Sequence, residues 1–191
     1  MEKVEVQEKP IGLVIILNNI EHFQEDVEKL SSLFAARNYR VKVLNNLDQL
    51  ENTEKYKDLI LFFFGYGYGS KVLLDRNQET IMSYNDLYCF LHSKKFGFSQ
   101  IVLLSEVYYK PKKLKVIRRP FRAELENVSH LQIGINEMQP ISILRKCFEM
   151  HSYDNKYNLR NFYTIVNKEM EQFSQSRCIL TYKNACTDAY F

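Results

Sequence analysis

The chain has 191 residues, of which 46% are hydrophobic and 26% are charged. This length and composition favour a single soluble domain, 1–191, with a substantial core. The net charge of +3 is too small to indicate nucleic-acid binding, and no apolar run is long enough to span a membrane. Because the first residues, MEKVEVQEKP, are polar and acidic, we expect no secretion signal and a cytoplasmic location.

The cysteines indicate reduced thiols rather than disulfides or a metal site. Cys89, Cys147, Cys178 and Cys186 match no zinc-ligand spacing, and a cytoplasmic chain keeps its thiols reduced. We therefore predict that the protein binds no metal and no other cofactor, and that these side chains serve packing.

Predicted strands and helices alternate along the chain. Continuous apolar, β-rich runs predict strands, and apolar residues at helical spacing predict helices. The predicted strands are 11–17, 39–44, 58–64, 99–107, 129–135 and 177–182, and the predicted helices are 21–38, 83–95, 141–151 and 158–175. This alternation is typical of an α/β fold with a mostly parallel sheet and helices on both faces.

A glycine-rich stretch, FFFGYGYGS at 62–70, ends the third predicted strand. Glycines after a strand can hold phosphate or can display one catalytic side chain. The following segment, VLLDRNQET, resembles a strand and a turn rather than a helix, and the glycine spacing lacks the dinucleotide-binding fingerprint. We therefore predict a tight glycine turn and no nucleotide site.

The residues alone predict no reaction centre. Four histidines lie far apart in the sequence: His22, His92, His130 and His151. None follows a strand end beside a candidate nucleophile, and tyrosines, with a pKa near 10, are poor bases at neutral pH. One enzyme hypothesis stays open, in which Ser105 with Glu106, or Tyr66 with Tyr68, performs an unrecognised reaction at the strand ends.

The order of these elements resembles the caspase catalytic domain over nearly the whole chain. GLVIILNN and NYRVKVLNNL resemble the family's first two strands, and DLILFFFGYG resembles the strand that ends in its Leu-Ser-His-Gly motif. SQIVLLSEV resembles the strand that ends in Gln-Ala-Cys-Arg-Gly. NLRNFYTIVNKEMEQF and RCILTYKNACTDAYF resemble the last helix and strand of the small subunit.

The resemblance implies a caspase-like twisted, mostly parallel central sheet with helices on both faces. It divides the single domain into a large-subunit-like part (1–109), a basic linker (110–128) and a small-subunit-like part (129–191). Caspases are cut after aspartate between their subunits, and no aspartate lies between Asp86 and Asp154. We therefore expect the linker to stay uncleaved.

The resemblance places Tyr66 at the catalytic histidine, Val107 at the nucleophilic cysteine and Ser105 at the glutamine of the specificity pocket. Valine cannot act as a nucleophile, and tyrosine cannot replace imidazole as a base near neutral pH. The family's two substrate-binding arginines also have no counterpart. NNIEHFQEDVEKL, where the first is expected, contains no arginine, and GINEMQPISILRKC lacks the loop that carries the second, with Arg145 placed within the predicted helix. The resemblance therefore implies a catalytically inactive cysteine-protease homologue.

Caspases pair through the last strand of the small subunit, which SRCILTY resembles. The implied dimer interface comprises Arg177, Cys178, Ile179, Leu180, Thr181 and Tyr182. An unpaired strand edge is a template for pairing. The implied partner is a second copy or an active caspase, and the implied role is regulation of apoptosis or caspase activity, with activation and inhibition both open.

The basic stretch around the linker, 108–128, suggests an alternative to a role in caspase regulation. KPKKLKVIRR fits a solvated loop, and the alternative is a module that binds nucleic acid or an acidic protein partner. We consider nucleic acid the less favoured ligand because of the small net charge. The same stretch leaves nuclear entry open.

Overall fold

The computed structural model describes residues 9–68, 72–74, 80–93, 96–109, 128–150, 158–173 and 176–182. The strands are β1 (Leu13–Asn18), β2 (Arg40–Leu44), β3 (Asp58–Tyr68), β4 (Val72–Leu74), β5 (Thr80–Ser83), β6 (Gln100–Tyr109), β7 (Val128–Ile135) and β8 (Arg177–Tyr182). The α-helices are α1 (Gln24–Ala36), α2 (Tyr84–Leu91), α3 (Ile143–Met150) and α4 (Leu159–Met170).

The central sheet has the strand order β2-β1-β3-β6-β7-β8. The first five of these strands are parallel to their neighbours, and β8 pairs antiparallel with β7. The hairpin β4–β5 continues from β3, antiparallel to its last residues. The predicted α/β fold with a mostly parallel central sheet is confirmed.

The sheet separates two hydrophobic layers. One layer contains the apolar faces of α1, α3 and α4, and in it the rings of Phe148 and Phe162 stack with centroids 4.3 Å apart. The other layer contains α2 and the segment from Leu47 to Tyr56. Strands β1, β3 and β6 lie between the layers and are buried on both faces, as their continuous apolar runs predict.

Local hydrogen bonds set where the helices begin. Ser83 and Asp86 form a reciprocal capping box at the start of α2, and the Asn158 side chain accepts a hydrogen bond from the backbone of Arg160 at the start of α4. Helices α2 and α4 end several residues before the predicted ends, and the hairpin β4–β5 was not predicted. No helix in the described part of the chain is long and apolar enough to cross a membrane.

The predicted irregular stretch 108–128 is wrong at both ends. Tyr108 and Tyr109 pair within β6, and Val128 is the first residue of β7. Their side chains are buried, so apolar packing extends both strands beyond the predicted bounds. The basic residues between them, 110–127, lie outside the described residues.

Candidate functional site

The ends of β3 and β6 lie side by side at the carboxyl edge of the sheet. Gly65 pairs with Val107 and Tyr66 pairs with Tyr108, so the two positions aligned with the caspase catalytic pair are diagonal neighbours. Parallel strands collect functional groups at this edge, which makes it the candidate site. The structure does not bring the two side chains together, because Tyr66 packs against the layer of α1, α3 and α4 and Val107 packs in the layer of α2, on the opposite face of the sheet.

The predicted glycine turn is wrong, because β3 continues through the glycines to Tyr68. The backbone of this stretch pairs with β6 on one side and with β4 on the other. A Cβ atom added to Gly67 would lie 2.5 Å from Cε1 of Tyr109 and 2.6 Å from Cγ1 of Val107. Glycine is required at position 67 because neighbouring side chains occupy the space, not because the chain turns there.

Side chains fill the strand ends. Val107 has 0% exposure, and Tyr108 and Tyr109 are also buried. Tyr66 is half-buried and packs against the layer of α1, α3 and α4. The valine alkyl group at the centre of this arrangement offers neither a nucleophile nor a group that exchanges protons.

Ser105 lies in a polar cluster beneath this surface. Its Oγ is 2.7 Å from Nε2 of His130, and the other ring nitrogen, Nδ1, is 2.5 Å from the hydroxyl of Tyr88. No histidine was predicted to contact a candidate nucleophile, and His130 makes this contact from within β7 rather than from a strand end. The pairing of β6 with β7 brings together two residues that lie far apart in the sequence.

The cluster continues through tyrosine hydroxyl groups. The Tyr84 hydroxyl lies 3.4 Å from Ser105 Oγ and is also hydrogen-bonded to Tyr109, whose hydroxyl accepts from Nε2 of Gln132. These groups join α2 to β6 and β7 through one buried chain of hydrogen bonds.

The environment of the Ser105–His130 pair does not favour nucleophilic catalysis. Ser105 is 0% exposed and His130 is 2% exposed, so a substrate has no access to the serine in this conformation. Burial lowers the pKa of His130 from 6.5 to about 3, which makes the imidazole a weak base. The geometry is that of a neutral structural network, and it disfavours the hypothesis of an enzyme built on Ser105.

Glu106, the next residue of β6, is an anchor for helix α3. It is 0% exposed, and its carboxylate accepts hydrogen bonds from the backbone N–H groups of Ile143 and Leu144, each at 3.0 Å. The hydroxyl groups of Tyr108 and Ser142 donate to the same carboxylate at 2.7 and 2.8 Å. Burial raises the pKa of Glu106, and these four donors oppose that shift by stabilising the ionised form.

A second carboxylate ties the same loop to helix α1. Asp26 accepts a hydrogen bond from the backbone of Ser142 at 3.2 Å and lies 3.8 Å from Nε of Arg145. Nη2 of Arg145 lies 3.1 Å from Glu149. Arg145 is a residue of α3, as predicted, and its guanidinium is committed to these two carboxylates rather than to a substrate.

Metal and thiol chemistry find little support at the described positions. The described residues contain no group of three His, Cys, Asp or Glu side chains that could hold a metal ion. Burial raises the pKa of Cys147 and of Cys178 to about 12, so both thiols stay protonated at neutral pH. Cys147 and Cys178 pack against the core. Cys89 is exposed, so its predicted role in packing is wrong. Cys186 lies outside the described residues.

Strand β8, where the dimer interface is predicted, is the last strand in the order of the sheet. Its backbone pairs with β7 from Arg177 to Tyr182, with Ile179 opposite Gln132. Among the described residues no strand pairs with the outer side of β8. Cys178 is half-buried, and the other side chains of the predicted interface lie outside the described part of the chain.

Two solved structures share this arrangement of strands and helices. The crystal structure of caspase-1 from Spodoptera frugiperda superposes with a TM-score of 0.61 at 12% identity, over 92% of this chain and 88% of that chain. The structure of pro-sf-caspase-1 gives a TM-score of 0.63 at 12% identity, over 93% of both chains. The fold is caspase-like. No protein-family model and no curated protein matches the sequence significantly.

Within this caspase-like fold, Glu106 and His130 are the important polar residues whose contacts the sequence did not predict. The available signal was their place in apolar strands, because a buried polar side chain needs partners. Ser105 and Val107 are buried side chains of β6, and Tyr66 is half-buried on the neighbouring strand.

Proposed function

We propose that this chain is a non-catalytic caspase homologue that regulates caspase activity, and with it apoptosis, by pairing with an active caspase or with a second copy of itself. The observation that carries the proposal is the buried Val107 at the end of β6, in the position that the resemblance aligns with the nucleophile. A caspase-like fold that carries valine there retains a surface for binding but loses the reaction.

The outer edge of β8, with which no strand of the described residues pairs, supports the pairing step. Its backbone N–H and C=O groups can extend the sheet into a partner chain, as exposed strand edges do. A coupling free energy of about 1–3 kcal/mol between pairing and the partner's active conformation would change its activity measurably.

The first experiment titrates the purified chain into an active caspase and follows cleavage of a peptide that ends in aspartate. We expect no cleavage by the chain alone, and a saturable rise or fall in the rate of the caspase. The direction of the change gives the sign of the regulation. An unchanged rate together with a monomeric chain on sizing would refute the proposal.

A charge placed on β8 tests the interface. We expect Ile179→Glu to abolish the change in caspase rate and the co-purification of the two chains, because a buried unpaired carboxylate opposes association. The matched control is Val43→Glu on β2, the strand at the other edge of the sheet, where Val43 is 50% exposed. Equal loss in both variants would mean that β8 is not the specific interface.

Restoring the two catalytic side chains tests the inactive site. We expect the double variant Tyr66→His, Val107→Cys to show no cleavage of aspartate-ending peptides, since the side chain at 107 is sealed among Gly67, Tyr109 and the core. The readout is hydrolysis over hours, with thiol labelling of the native and the unfolded protein as the control for access. Turnover by the variant would mean that the strand end opens to substrate.

A further inference from the structure

Strand β2 lies at the opposite end of the central sheet from β8. Its one strand pairing among the described residues is with β1. The backbone N–H of Arg40 donates to the carbonyl of Gly12, on the side of β1, at 2.9 Å. Successive residues of a strand direct their N–H and C=O groups to opposite sides, so the groups of Val41 and Val43 are directed to the outer edge.

We propose that the outer edge of β2 binds an extended segment of a partner protein in which acidic residues alternate with apolar ones. The segment adds one strand to the sheet and takes up the outward N–H and C=O groups of β2. This inference is independent of the proposed pairing with a caspase, which uses β8 at the other end of the sheet.

The side chains of β2 specify the alternation of the partner segment. Val41 packs against the layer of α1, and Val43, two residues later on the same face, is 50% exposed. Arg40 and Lys42 lie on the other face of the strand. In an antiparallel pair, residues directly opposite each other carry their side chains on one face. The partner segment therefore has apolar residues opposite the two valines and acidic residues opposite Arg40 and Lys42.

The two basic side chains favour a carboxylate on the partner. Arg40 is exposed, and its Nε lies 3.7 Å from the carboxylate of Glu54, which is exposed as well. Lys42 forms no ion pair with the residues that the structure describes. Because Val41 and Val43 supply the outward hydrogen bonds, a residue opposite Lys42 belongs to a non-hydrogen-bonded pair, in which side chains approach most closely. An acidic side chain at that position offsets the charge of the lysine directly.

A second copy of the chain fits this edge poorly. Two identical edges related by a twofold axis pair antiparallel. The registers centred on Val41 and on Lys42 place basic side chains opposite each other, which destabilises the pair. The register centred on Val43 pairs Val41 with Asn45, which lies beyond the end of the strand. Basic side chains on an edge strand thus oppose pairing between copies and still attract an acidic segment.

Amide hydrogen exchange of the 191-residue chain tests this surface. The probe is a six-residue peptide in which glutamate alternates with valine. We expect the amides of Val41 and Val43 to exchange rapidly in the free chain and to gain protection that saturates with the peptide. The amides of Arg40 and Lys42 are internal controls, because they are directed toward β1 and should change little.

A second peptide, with lysine in place of each glutamate, tests the charge complementarity. We expect it to bind about tenfold more weakly than the glutamate peptide, since it places like charges opposite Arg40 and Lys42. Binding of the glutamate peptide should also weaken as the salt concentration rises, because the charges involved are exposed.

A charge reversal on β2 locates the binding site. Lys42→Glu should weaken binding of the glutamate peptide about tenfold and strengthen binding of the lysine peptide by a similar factor. The matched control is Lys168→Glu, which makes the same change in net charge at an exposed position of α4. We expect this control to keep both affinities within about twofold of the wild-type values.

Four results would overturn the proposal. Unchanged exchange at Val41 and Val43 with saturating peptide would mean that the edge does not pair. Protection of these amides in the free chain would mean that another segment of the chain covers them. Protection that rises with the concentration of the chain would mean that a second copy covers them. Equal protection by the two peptides would mean that charge does not select the partner.

Discussion

Replacing Glu106 by alanine is expected to lower the free energy of unfolding by about 2–6 kcal/mol, the cost of leaving two buried N–H donors without an acceptor. The two donors are the backbone N–H groups of Ile143 and Leu144, at the first turn of α3. The Ser142 hydroxyl loses the same acceptor. The free energy is obtained from urea unfolding monitored by tyrosine fluorescence and circular dichroism.

Two further variants show whether the lower free energy of unfolding comes from the lost hydrogen bonds between Glu106 and α3. Glu106→Gln keeps the volume but turns one oxygen into an NH₂ group that faces donors, so we expect an intermediate loss. Glu137→Ala removes an exposed carboxylate near the same loop and should change stability by less than about 0.5 kcal/mol. A Glu106→Ala protein within about 1 kcal/mol of wild type would mean that other acceptors or water satisfy the start of α3.

The hydrogen bonds of Glu106 are one of two sets of contacts that tie the end of β6 to helices. Residues 105 and 106 of β6 point into opposite layers, Ser105 toward Tyr84 of α2 and Glu106 toward the first residues of α3. Each side chain is tied to a helix by hydrogen bonds, and Val107 follows them in a packed environment. The end of β6 thus stabilises the fold through interactions that leave no free acid, base or nucleophile.

Apolar periodicity predicted the six strands of the order β2-β1-β3-β6-β7-β8 and the four α-helices, but not the hairpin β4–β5. Strand β6 was predicted as 99–107 and β3 as 58–64 because runs such as DLILFFF are typical of strands buried on both faces. The extension of β3 through Gly65 and Gly67 was not predicted, because glycine is typical of turns and weakens the interior of a strand. The close packing of Tyr109 and Val107 on Gly67 is a tertiary constraint that local propensity does not contain.

The sequence could not predict the polar contacts of Ser105 and Glu106, for a different reason. Ser105 and His130 meet because β6 and β7 pair in one register, with Leu103 opposite His130 and Ser105 opposite Gln132. A shift of one residue would place them on opposite faces of the sheet. The pairing of Glu106 with the start of α3 likewise depends on how a distant loop crosses the strand ends, which residue spacing does not specify.

Gly67→Ala is expected to destabilise the protein by about 1–3 kcal/mol through overpacking of the strand end. The new methyl group would lie within 2.6 Å of side-chain atoms of both Val107 and Tyr109. Gly97→Ala is the matched control, because its φ of +67° disfavours a side chain but no atom lies within 4 Å of the added carbon. Urea unfolding of both variants separates crowding from backbone strain, which costs about 1–2 kcal/mol at Gly97.

A double-mutant cycle that combines Gly67→Ala with Val107→Ala tests whether Val107 is the residue that crowds position 67. Removing both Cγ atoms of Val107 gives the methyl group introduced by Gly67→Ala room on one side, so the double variant should be more stable than additivity predicts by about 0.5–3 kcal/mol. Additive losses within about 0.5 kcal/mol would mean that positions 67 and 107 do not touch in solution. A catalytic side chain at position 107 would need open space toward the end of β3. A favourable coupling would show that the side chain of Val107 fills this space, so that no vacant cleft is present there.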